Sequence, residues 1–146
     1  MNILYHFRSI LKLDRPTKAQ KNTIIKMLAL IIWSDGHCDP KEIESISLLM
    51  SSFGGISQNT CIEVLQNTKE SSPELMDEIS SLPSQYAQMN LKMAYHIANS
   101  DGNISESELA MIQKISEKVL QGKNWEDIKV WIESYDSFVK ATHKLF

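Results

Sequence analysis

The sequence predicts an all-α fold: a compact bundle of about seven to eight helices with an internal pseudo-two-fold duplication. Three observations predict it. Apolar residues recur at helical spacing, and nothing alternates like a strand for long. Only 5 glycines and 4 prolines punctuate the 146 residues, and most fall between periodic segments. The chain also repeats itself: Ser34-Asp35-Gly36 returns 66 residues on as Ser100-Asp101-Gly102.

Each element has a local reason. Ile3, Leu4, Phe7, Ile10 and Leu11 form one face of a short amphipathic helix over residues 1–15, which ends before Pro16. Thr17-x-x-Gln20 is a capping box opening a helix to about Ser34. Asp39-Pro40-Lys41-Glu42 opens the next, with Asp39 as N-cap, Pro40 at the first helical position and Glu42 at the third. Gly54-Gly55 stops it, and Ser57 caps a helix to about Thr68. Ser72-Pro73-Glu74 starts a connecting helix over 72–82. A long helix follows Pro83 to about Asn99. Ser105-x-x-Glu108 is a second capping box, for a helix to Leu120 that Gly122 ends. Asn124 caps the last helix, with Trp125, Ile128, Trp131 and Ile132 expected in the core and Tyr135 and Phe138 extending that stripe. The reading is one domain over 1–146, with repeat halves at 17–68 and 83–138.

Bulk composition narrows the function classes. With 42% hydrophobic and 23% charged residues, the chain is an ordinary globular sequence. Cys38 and Cys61 form no CxxC, so a reducing cytoplasm is expected. Met1–Leu13 interleaves His6, Arg8 and Lys12 with apolar residues and offers no small-residue cleavage site, so no signal peptide is expected. The longest nearly apolar run, Ile24–Trp33, is about half of the ~20 residues a membrane span needs. Net charge is −3, and it is unevenly spread. Arg8, Lys12, Arg15, Lys18, Lys21 and Lys26 face one acid, Asp14, before residue 28, while the remainder is acidic. An acidic body excludes nucleic acid as the main ligand, because phosphate binding needs a positive surface. The basic amphipathic segment has two readings: peripheral contact with anionic lipid, or docking on the protein's own acidic body.

The repeated turns carry the main candidate site. At the same offset Lys26-Met27 falls on Lys92-Met93, Glu42 on Glu108 and Ile46 on Ile112. Helix punctuation explains most of this. Gly36 and Gly102 suit the left-handed residue after a helix. Asp39 and Ser105 cap the next one, and Glu42 and Glu108 return a bond to the cap, each cap contributing ~1 kcal/mol. Asp35 and Asp101 are not explained, since an acid near a helix C-terminus faces the negative end of the dipole. Neither loop is an EF-hand: the twelfth position from each Asp is an isoleucine, Ile46 or Ile112. The second reading is therefore a divalent cation held by Asp35 and Asp101 together, with oxygens from Glu42 and Glu108 and a nitrogen from His37 for a transition metal.

The segments LIIWSDGHCDPKEIESI and HIANSDGNISESELAMI share an apolar helix, Asp-Gly, a residue, an aliphatic, a capping residue, two more and Glu. This resembles the TerB-like family, which includes tellurite-resistance TerB proteins and the N-terminal domain of a DnaJ-like membrane co-chaperone. The resemblance spans about Thr17 to Tyr135, with the two turns as its specific part. The second turn fits best; the first has Cys38 where an aliphatic is usual and where its counterpart is Ile104. The resemblance implies an all-helical duplicated fold and a proposed acidic, metal-binding site, carried here onto Asp35, Glu42, Asp101 and Glu108. It also implies a loose association with tellurite or stress resistance and with membrane-linked complexes, and brings no defined reaction.

Comparing the halves suggests an interaction surface. Lys26, Leu30 and Trp33 share one helix face, and their counterparts Lys92, His96 and Asn99 read as polar and solvated. Leu30 and Trp33 then project where the other half meets water, and something must cover them. The N-terminal helix is one cover, and a partner protein or membrane is the other. No phosphate loop, HExxH or GxSxG is present. His96 reads as an exposed surface histidine, and Cys61 as a buried structural cysteine. Three functions follow, in order: a non-enzymatic interaction or scaffold module with an ion at the paired turns, a metal-dependent hydrolase using the acidic cluster, and a peripheral membrane protein acting through residues 1–15.

Overall fold

The computed structural model describes residues 17–36, 38–52, 56–99 and 103–145. The expected N-terminal helix, His37, the Gly54-Gly55 break and the Ser100-Asp101-Gly102 turn lie outside the described residues. Among the described residues there are seven helices and no strand: α1 Lys18–Ile32, α2 Pro40–Ser52, α3 Gln58–Asn67, α4 Pro73–Ser80, α5 Ser84–Ala98, α6 Glu106–Val119 and α7 Trp125–Leu145. None of them is long and apolar enough to cross a membrane.

The helix starts are where local chemistry puts them. Thr17 Oγ1 accepts from the Gln20 amide at 3.1 Å, and Gln20 Oε1 accepts from the Thr17 amide at 2.8 Å. Ser57, Ser72 and Ser105 each accept from the amide three residues on. Asn124 Oδ1 accepts from the Glu126 amide at 2.8 Å. Each of these bonds satisfies an amide that the first helical turn leaves without a partner. Two ends use a glycine with positive φ, Gly36 at 90° after α1 and Gly122 at 85° after α6. Helix α7 continues past Phe138 to Leu145, since no Gly or Pro interrupts it there.

Helix α1 lies at the centre. Nine of its fifteen residues are buried, including the unbroken run Met27–Ile32. It contacts α3, α4, α5 and α6. Burial on that scale removes apolar area worth roughly 25 cal/mol per Å² from water. Helix α5 packs on α1 with Leu91, Met93 and Ala94 in the core, and α6 adds Ile112 and Ile115. Helix α3 rests on α1 and α2 through Cys61 and Leu65, and α7 rests on α5 and α6 through Ile128 and Ile132. Cys61 is fully buried, as expected of a structural cysteine.

Expectations for two helix faces are corrected because later helices cover them, and the expectation for Phe138 is corrected as well. Leu30 is not a surface residue: it is 1% exposed within the core. Trp33 is partly buried; its Nε1 donates to Leu65 O at 2.7 Å, and Lys69 Nζ lies 4.6 Å from its ring centre. Helix α3 thus closes the face that seemed to need a partner. Likewise the Lys92–His96–Asn99 face is not solvated, because α7 closes it. His96 Nδ1 lies 2.7 Å from Asp136 Oδ1, Asn99 Nδ2 donates to Asp136 Oδ2 at 3.2 Å, and Lys92 Nζ sits 4.0 Å over Trp131 and 4.9 Å from Tyr135. Phe138, expected on the core stripe, is 54% exposed.

Two polar features of the interior make measurable demands. Asn90 is fully buried between α5 and α1; among the described residues its Nδ2 reaches Met27 Sδ at 4.0 Å and its Oδ1 has no hydrogen-bond partner. An unsatisfied buried acceptor costs more than a shape-matched apolar group. Asn90→Leu should therefore raise stability by about 1 kcal/mol, read as a higher urea midpoint at unchanged slope. A clear loss would show that this amide is satisfied in solution. Asp136 is 4% exposed and accepts from two neighbours, whereas the Lys26–Glu78 pair, at 3.4 Å, is about one-third exposed on both sides. Asp136→Ala should lose roughly 2–3 kcal/mol, and Glu78→Ala less than about 1 kcal/mol. Equal losses in the same denaturation series would contradict this ranking.

Candidate functional site

The SDG turn that ends α1 and the start of α6 meet at a pocket of about 420 Å³, lined by Ile32, Asp35, Cys38, Asp39, Pro40, Glu42 and Glu108. Ile32 forms the apolar floor as the last residue of α1. The Gly36 amide donates to Trp33 O at 2.9 Å, and this tight reversal sends the chain out of the core just after Asp35. Asp39 then caps α2, its Oδ1 accepting from the Lys41 amide at 2.9 Å, with Pro40 at the first helical position. The pocket wall therefore contains four carboxylates from two parts of the chain that are distant in sequence.

Three of the four expected site residues, Asp35, Glu42 and Glu108, line this one pocket. The fourth, Asp101, lies outside the described residues. Sequence reasoning also names Asp39 and Cys38, but as a cap and as a departure from the family pattern rather than as pocket walls. Their proximity to Glu42 in the chain is the signal that places them there.

The two glutamates are held differently. Glu108 completes its capping box: its amide donates to Ser105 Oγ at 3.0 Å, and its Oε1 accepts from the Ser105 amide at 3.2 Å. Glu42 instead accepts a long bond from the Cys38 thiol, Sγ to Oε2 at 3.9 Å, while the same thiol lies 3.5 Å from Asp39 O. The local charges explain this arrangement. Burial, and then the Glu108, Asp39 and Asp35 carboxylates, hold the Glu42 carboxyl above its ordinary range, with the thiol bond acting the other way. Burial, followed by Glu42, Asp39 and Asp35, pushes the Cys38 thiol up to about 12. At neutral pH Cys38 is thus a proton donor rather than a nucleophile.

All the charged donors here are oxygens, which suits a hard divalent cation such as Ca²⁺ or Mg²⁺. Among the described residues, no three His, Cys, Asp or Glu side chains form a group able to hold a metal ion. The donor chemistry fits a cation, but the described residues alone do not supply a full ligand set. A second cleft, of about 500 Å³, opens at the start of α7 between Leu120, Ile128 and Trp131, with Lys123 and Asp127 at its edge. It contains none of the expected site residues.

Comparison with protein families gives a match to the model described as "Tellurite resistance protein TerB" over residues 21–122, more than two-thirds of the chain. The matched region runs from α1 through α6 and contains both turns. No curated protein and no solved structure matches the chain.

The raised Glu42 carboxyl sets the sign of a pH effect. An acid whose folded-state pKa lies above its unfolded value adds stability that is complete below the unfolded pKa. That stability is lost as pH rises through the folded pKa. Glu42→Gln should therefore melt at a higher temperature than the native sequence at about pH 8, with the difference closing by about pH 4. A variant that is less stable at both would show Glu42 to be a net stabilising cap. Alkylation of Cys38 by iodoacetamide near neutral pH should run more than about tenfold slower than for an ordinary thiol. It should accelerate in Glu42→Gln; fast labelling of the native protein, followed by mass spectrometry, would contradict the burial and charge described.

Proposed function

This chain belongs to the TerB family, and on that premise we propose that it is a non-enzymatic interaction module of a tellurite or stress response whose acidic pocket takes a divalent cation. The observation that supports this most is the convergence of Asp35, Glu42 and Glu108 on one pocket. Carboxylates held close together repel, and after burial the Glu108, Asp39 and Asp35 charges help hold the Glu42 carboxyl above its ordinary range. A bound cation relieves that repulsion, so binding and local stability rise together. In this reading Asp101, from the matching turn, supplies the remaining oxygens, and the ion ties the two turns together as a platform for a protein partner. Cytoplasmic placement belongs to the same proposal and follows from the cysteine usage. So does the duplication, which would make the cation site a product of two copies of one turn.

A metal-dependent hydrolase is the second reading, favoured by one observation: a carboxyl with a raised pKa in a pocket is a candidate general acid. It predicts turnover of a hydrolysable substrate that Glu42→Gln abolishes without loss of fold.

The test is a titration of Ca²⁺, Mg²⁺, Mn²⁺ and Zn²⁺ into chelator-treated protein, followed by calorimetric heat and melting temperature. The native chain should bind at least one of them saturably and melt higher. The Asp35→Asn/Asp101→Asn and Glu42→Gln/Glu108→Gln variants should remain folded and lose both responses. Glutamine keeps the neutral hydrogen-bonding shape of the cap, so loss of binding in the second pair reports charge rather than capping. A native protein that binds none of the four ions would sink the cation reading.

A further inference from the structure

We draw no further inference here: the strongest candidate, the cleft at the start of α7 walled by Leu120, Ile128 and Trp131, carries nothing, because its lining holds one cationic residue, Lys123, and one anionic residue, Asp127, and nothing in the structure shows what occupies it.

Discussion

The fold depends on enclosing α1. A helix buried along the run Met27–Ile32 cannot stand on a surface, and its apolar area must be covered from several directions at once. Helices α3, α4, α5 and α6 do this. The polar groups near α1 are then dealt with where they fall. Thr23 Oγ1 donates to Glu78 Oε1 at 2.7 Å, and Lys26 reaches the same carboxylate at 3.4 Å. At the C-terminal end the Ser34 hydroxyl donates to Ile31 O at 2.8 Å. The acidic pocket is a consequence of this enclosure. Because α1 ends inside the core, its last residue, Ile32, becomes the pocket floor, and the turn that follows must emerge between neighbouring elements.

Much of this was legible in the sequence, for a physical reason. Helix starts are decided by one or two side chains next to free amides, so Thr17, Ser57, Ser72, Ser105 and Asn124 can each be read alone. The all-helical class follows from periodicity summed over many residues. Which face a helix turns to a later neighbour depends instead on packing between distant segments. Leu30 and Trp33 looked uncovered only while α3 had no place in space, and His96 looked solvated only while α7 had none. One signal was present. Asp136 continues the spacing of Ile128 and Ile132 by four residues, which puts it on the buried face of α7. An acid on a buried face needs a partner, and His96 and Asn99 meet that need.

The candidate site was legible to the same degree. The repeated SDG pattern drew attention to Asp35, Glu42 and Glu108, and these three line one pocket. It did not show that Glu42 and Glu108 are held differently. That difference comes from two positions at which the two segments differ, Asp39 against Ser105 and Cys38 against Ile104.

Those two differences act together. A capping box pairs a hydroxyl at the N-cap with a carboxylate three residues on, so only one negative charge sits at the helix start. With Asp39 at the N-cap, Glu42 would bring a second charge to the same amides, and Asp39 is among the groups that raise its carboxyl. Glu42 turns instead toward the Cys38 thiol, a donor that an aliphatic side chain would not supply. A thiol packs like a small apolar group, and Cys38 still contacts the core, as Ile104 does. The first turn therefore gives up one cap bond and presents a carboxylate to the pocket, while the second keeps Glu108 bound to its own helix. Any ligand that enters meets one glutamate held by a weak thiol bond and one held by a backbone amide. On the proposed cation reading, the side of the pocket that responds to binding is the side of α2.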